Sequence, residues 1–133
     1  MKTEIKFHHV GIACRDIDFT KAFYLNQGYK ASETVEDPIQ NVFICFLSKD
    51  GEPLLELLAP VDEKSPINRT LSASGVTPYH ICYQVKSIED SIKSLKTQRF
   101  VRVSRPAPAC ALDNKRVCFL YNKDVGLIEL VEE

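Results

Sequence analysis

Two stretches of this chain superimpose without a gap. "HVGIACRDIDFTKAFYLNQGY", beginning at His9, and "HICYQVKSIEDSIKSLKTQRF", beginning at His80, align at an offset of 71 residues. His9 falls on His80, Arg15 on Lys86, Ile17 on Ile88, Asp18 on Glu89, Gln27 on Gln98 and Tyr29 on Phe100. Further along, at an offset of 73, "ICFL" (44–47) meets "VCFL" (117–120), and "LLELL" (54–58) meets "LIELV" (127–131), which sets Glu56 on Glu129. An internal repeat of this extent constrains the fold more than composition does, because one supersecondary unit must be built twice. The join falls near Leu71 to Pro78. Each copy opens with a histidine on a strand and closes with a glutamate on a strand.

The pattern within each copy reads strand, helix, then three strands. Residues 5–13 are rich in strand formers. Asp16 is placed to cap a helix running to about Gln27, with Gly28 ending it. Strands are expected near 29–35, 41–47 and 54–58. In the second copy Ser87 is the cap, and Ile88, Ile92 and Leu95 form the apolar stripe. Between the copies, "SPINRTLSASG" carries a helix signature, with Ser65 as cap, Pro66 in the first turn and Gly75 as stop. "RPAPACALDN" (105–114) is rich in proline and reads as a loop.

Composition narrows the function classes. The 133 residues carry a formal net charge of −1, with 44% hydrophobic and 26% charged residues. That balance gives no electrostatic reason to expect nucleic acid or an anionic membrane as partner. No apolar run is long enough to span a bilayer. The opening MKTEIKFHH lacks the apolar core of a signal peptide, which predicts a cytoplasmic protein. The cysteines number five, an odd count without a CxxC pair, so neither a disulfide framework nor a zinc knuckle is expected. Cys45 and Cys118 read as small buried residues. Cys110 lies in the proline-rich loop.

Side chains alternate along a strand, so His9 shares a face with Phe7, Gly11 and Ala13, while His8 shares the opposite face with Val10 and Ile12. The adjacent histidines therefore cannot form one site, and His8 reads as a surface residue. His80 shares its face with Cys82 and Gln84. Glu56 and Glu129 each sit among leucines and isoleucines. A buried, uncompensated carboxylate costs several kcal/mol or shifts its pKa until it is neutral, and a metal cation removes that cost. His9, Glu56, His80 and Glu129 thus make an N2O2 set suited to one divalent ion such as Co, Ni, Mn, Fe or Zn.

The chain resembles the vicinal oxygen chelate superfamily, which groups glyoxalases, bleomycin resistance proteins and dioxygenases. Within it the chain is most similar to the methylmalonyl-CoA epimerases. "HHVGIACRDIDFTKAFY" resembles the family's opening motif, with the second histidine as metal ligand. "LLELLAPVDEKSPINRTLSASG" resembles the epimerase stretch that enters the connecting helix. "YHICYQVKSIEDSI" resembles the second histidine motif, and "GLIELVE" resembles the closing strand with its metal glutamate. The resemblance implies an α+β, glyoxalase-like fold, with two βαβββ modules forming a curled mixed sheet around a metal site. One domain over 1–133 is then expected, with modules at about 5–60 and 77–132 and a linking helix at about 65–74. The implied ligands are His9, Glu56, His80 and Glu129. Two departures stand out: Tyr79-His80 replaces a frequent His-His, and VFICFL (42–47) lacks the acid that some epimerases carry on strand three. The 105–114 loop also differs from the glycine-rich loop typical of epimerases, which suggests an unusual acyl group or an unusual thioester carrier.

The activity implied is epimerisation of methylmalonyl-CoA or a related acyl-CoA. The α-proton would leave to give an enolate stabilised by the metal. Glu129 is the expected base, with Glu56 the other inner carboxylate. Arg105, Lys115 and Arg116 are candidate partners for CoA phosphates. A homodimer is expected from the superfamily. One alternative is a lactoylglutathione lyase (glyoxalase I), which shares fold and ligand type but is disfavoured by the SPI helix entry. A second is a non-catalytic binding or resistance protein, which characteristically loses the metal ligands kept here.

Overall fold

Asp16 and Ser87 stand at equivalent places in the two copies, and each caps a helix with its side chain. The structure, a computed structural model, describes residues 4–133. It divides into two compact units, one of His9–Tyr79 and one of His80–Glu133 together with residues 4–8. Among the described residues there are three α-helices and ten strands, an α+β composition.

In the first unit, strand β1 (Lys6–Ala13, which begins ahead of the unit) leads into helix α1 (Ile17–Asn26). The Asp16 carboxylate accepts the Phe19 amide at 3.0 Å, satisfying one of the orphan donors of the first turn. The chain leaves α1 through Gly28, whose φ of +93° lies in the region that favours glycine. There follow β2 (Lys30–Ala31), β3 (Val35–Asp37), β4 (Val42–Ser48), β5 (Leu55–Pro60) and helix α2 (Ile67–Ser74). β1 runs parallel to β5, β5 is antiparallel to β4, and β2 and β3 both pair antiparallel with β4. Ile12, Ile17, Cys45, Leu47, Leu57 and Ala59 form the core under α1.

The second unit repeats this plan. β6 (Thr77–Val85) leads to α3 (Ile88–Lys96), β7 (Val101–Arg102), β8 (Ala107–Ala109), β9 (Lys115–Asn122) and β10 (Gly126–Glu132). β6 is parallel to β10, β10 antiparallel to β9, and β7 and β8 pair with β9. Ser87 Oγ accepts the Asp90 amide at 3.2 Å. Ile88, Ile92 and Leu95 are buried against Val85, Leu120, Ile128 and Leu130. Burial of each such side chain contributes about 1.5–3 kcal/mol, so the stripe rather than helix propensity holds α3 in place.

Three local expectations need correction. The strand expected over 29–35 is broken into β2 and β3, because Ser32 turns its hydroxyl into the ladder: Phe46 N donates to Ser32 Oγ at 2.9 Å. Ser65 does not cap α2. The N-cap is Pro66, without a side-chain bond, and Ser65 contributes only its carbonyl, to Asn68 N at 3.2 Å. The 105–114 segment is not wholly loop. It contains β8 and a single 3-10 turn at Cys110–Leu112, and the edge position of β8 tolerates Pro108.

Candidate functional site

Each unit turns one face of its strands toward its helix and reserves the other for a histidine and a glutamate. In the first unit, Gly11 on β1 lies in register with Glu56 on β5, and Glu56 lies opposite Phe46 on β4. Gly11 offers no side chain, so His9, two residues back on the same face, reaches the carboxylate. His9 Nε2 stands 3.1 Å from Glu56 Oε1, and both side chains are buried. Phe46 meets the imidazole edge-on, with ring centroids 5.3 Å apart and planes at 83°, which fixes the ring's tilt by packing.

The second unit builds the same arrangement from the equivalent residues. Cys82 on β6 lies in register with Glu129 on β10, and Glu129 lies opposite Phe119 on β9. His80 Nε2 stands 3.2 Å from Glu129 Oε1, again with both side chains buried. Phe119 meets the His80 ring at 5.3 Å and 87°. The two imidazole–carboxylate pairs match to within 0.1 Å in their N–O separation.

A lone buried His–Glu pair is an ordinary satisfied contact. Two copies, each with a small neighbour and an aromatic wall, both surrounded by apolar residues, are a poor investment in stability alone. Imidazole nitrogen and carboxylate oxygen are also the donors that borderline divalent metals take. Each unit therefore holds a possible half-set of metal ligands.

The sequence profile of the Glyoxalase/Bleomycin resistance protein/Dioxygenase superfamily matches residues 8–119. The chain belongs to that superfamily. It is 35% identical to the mitochondrial methylmalonyl-CoA epimerase of Homo sapiens, over 94% of this chain and 72% of the relative. It is 31% identical to the ethylmalonyl-CoA/methylmalonyl-CoA epimerase of Cereibacter sphaeroides, over 94% of this chain and 96% of that one. Among solved structures, it matches a substituted methylmalonyl-CoA epimerase of Streptomyces coelicolor in complex with 2-nitronate-propionyl-CoA. That match has a TM-score of 0.82 and 27% identity, covering 98% of this chain and 99% of the other. The glyoxalase-like fold that the resemblance implies is the fold of this superfamily member.

Other sequence candidates fare differently. His8 is half-buried, on the face opposite His9. Cys110 is exposed, while Cys14, Cys45, Cys82 and Cys118 are buried. Burial pushes the Cys14 and Cys118 thiols up from their ordinary value, which disfavours thiolate chemistry there. Arg116 is taken up by protein carboxylates: its guanidinium binds Glu89 at 2.7 and 3.0 Å and Glu132 at 2.9 and 3.1 Å. It is therefore a poor candidate for a CoA phosphate. Arg105 and Lys115 are exposed. No helix among the described residues is long and apolar enough to cross a membrane.

The repeat also carries residues that periodicity did not single out. Phe46 and Phe119 frame the imidazoles, and Ser32 and Ser104 anchor the amides of those phenylalanines. Their signal was present in the spacing: positions 32 and 104 lie 72 apart and 46 and 119 lie 73 apart.

Proposed function

We propose that the protein is a metal-dependent epimerase of 2-substituted malonyl thioesters, with methylmalonyl-CoA as the first substrate to test. The observation that carries this reading is the doubled, buried His–Glu pair in a chain similar to epimerases of acyl-CoA over nearly its whole length. The two units act as one domain, and His9, Glu56, His80 and Glu129 together hold one divalent ion. Their donor set of two imidazoles and two carboxylates, buried among leucines and isoleucines, fits such an ion. When bound, the ion supplies Lewis acidity toward the thioester carbonyl and lowers the barrier to losing the α-proton.

The chain's own groups move the proton. Glu129 is the base, and Glu56, its counterpart in the repeat, is the carboxylate that serves the other face. Apolar walls at both pairs exclude water, so the proton is held at a carboxylate oxygen long enough to be returned. Such a positioned acid or base contributes about 10²–10⁴ in rate. A homodimer located in the cytosol belongs to the same proposal.

The experiment is α-proton exchange in heavy water, followed by NMR on metal-loaded protein with methylmalonyl-CoA. A parallel tube contains methylglyoxal and glutathione. Loss of the α-proton signal in the first tube without lactoylglutathione in the second is expected. Lactoylglutathione alone would overturn the reading in favour of a glyoxalase. Metal analysis of His80→Ala supplies the second arm: unchanged metal content would sink the four-ligand site.

A further inference from the structure

The His80–Glu129 pair has an open side and a closed side along the same strand face. Toward the open side stand Pro78 and Tyr121, both exposed, and Leu127, half-buried. Toward the closed side, two residues along each strand from His80, Glu129 and Phe119, stand Cys82, Val131 and Val117. That step is about 7 Å. With Ala109 of β8 these three form a cluster no more than 4% exposed, and Leu112 packs onto it. No charged side chain takes part.

The cover over this floor has a fixed shape. Leu112 ends the 3-10 turn, and the chain then passes through Asp113 and Asn114 at φ of 57° and 61°. Aspartate and asparagine tolerate that region better than other side-chain-bearing residues. Asn114 N donates to Ala109 O at 3.0 Å and closes the loop. The side chain of Leu112 is thus held by backbone geometry as well as by packing.

The first unit lacks this device. Its register equivalent of Ala109 is Asp37, which lies opposite Val42 as Ala109 lies opposite Lys115. Asp37 is a buried carboxylate that accepts the Ile39 and Gln40 amides and the Gln40 side chain. Among the described residues, the second unit therefore places apolar Ala109 and Leu112 where the first places the Asp37 carboxylate.

A malonyl-type thioester has polar groups on two arms of its α-carbon and an alkyl group on the third. The polar arms require water, metal or hydrogen bonds; the alkyl arm alone gains by entering a dry apolar corner. We infer that Leu112, supported by Ala109, is the specificity-determining wall that sets the size of the α-alkyl group. This rests on the epimerase reading above.

The test is a substrate series of methyl-, ethyl- and butylmalonyl-CoA, assayed by deuterium exchange with the metal-loaded wild type, Leu112→Ala and Leu112→Phe. Leu112→Ala should raise the butyl-to-methyl ratio of kcat/KM about tenfold or more, and Leu112→Phe should lower the ethyl-to-methyl ratio by a similar factor. Each ratio is taken within one protein, so a reduced folded fraction cancels. The same profile in all three proteins would overturn the inference while leaving the epimerase reading intact. Silence of the wild type toward every malonyl thioester would overturn both.

Discussion

Ser104 Oγ accepts the Phe119 amide at 2.9 Å, and through it the bend between β7 and β8 grips the residue that packs against His80. Ser32 does the same for Phe46, the wall of His9, at the same distance. The serine carbonyls are used too, accepting from Cys45 Sγ at 3.4 Å and from Cys118 Sγ at 3.2 Å. Each unit thus interrupts an outer strand to anchor the aromatic wall of its imidazole.

Ser104→Ala should lower stability by about 1–3 kcal/mol, because the Phe119 amide bond is partly buried and loses its acceptor. Ser32→Ala should cost about 0.5–1.5 kcal/mol, since the corresponding bond is exposed and water can replace the hydroxyl. Urea unfolding of the two variants checks the order. An equal loss in both would mean that burial does not decide the difference.

Arg116 makes a different kind of prediction. Its guanidinium holds the Glu89 and Glu132 carboxyls below their ordinary value of 4.5, and the Ile88 amide adds to the effect at Glu132. The folded protein therefore binds fewer protons than the unfolded chain in mildly acidic solution. The stabilisation from the clamp is complete above the ordinary carboxylate pKa and disappears as pH falls through the lowered folded values. Arg116→Ala should be less stable than wild type at neutral pH, and the gap should close as pH falls below 4.5 through the lowered folded values. The clamp is half exposed, so the gap at neutral pH is modest and shrinks in salt. Urea midpoints across that range, with and without added salt, test both statements.

Thiol chemistry gives a simpler check. Of the five cysteines, only Cys110 is exposed. An aromatic disulfide reagent should label one thiol rapidly in the folded protein and the rest only on denaturation. Cys110→Ser should remove the fast phase. Fast labelling of a second thiol would show that one of the buried cysteines opens on the timescale of the reaction.

The repeat made the four candidate ligands and both capped helices legible, because those features depend on residue type at fixed spacing. His9 and Glu56, and His80 and Glu129, needed only alternation and the offset to fall on one face. Other features depend on partners far apart in sequence. Nothing near Arg116 announces Glu89, 27 residues earlier, as its partner. The break between β2 and β3 turns on one hydroxyl meeting an amide 14 residues away, and hydrophobic rhythm does not register it. Ser65 carried the right chemistry for a cap, yet the helix begins later and the chain enters through Pro66. In β8, prolines concealed a strand because an edge position makes few demands on backbone donors.

Glu129 and Glu132 lie three residues apart on β10 and should answer substitution in opposite ways. Glu129 is buried beside His80, at 3.2 Å, and is the base in the function proposed above. Glu129→Gln removes the charge but keeps an oxygen of similar reach, so the fold should lose little. Proton exchange on methylmalonyl-CoA should fall by about 100-fold or more, the share of a positioned base. Glu132 faces Arg116 and the Ile88 amide instead. Glu132→Gln should keep exchange within about twofold, while lowering the urea midpoint at neutral pH by the modest amount a partly exposed ion pair provides. Exchange rates and midpoints measured on the same two preparations separate the roles. If Glu132→Gln abolished exchange in a folded protein, or Glu129→Gln left it untouched, the assignment of the base to Glu129 would have to be withdrawn.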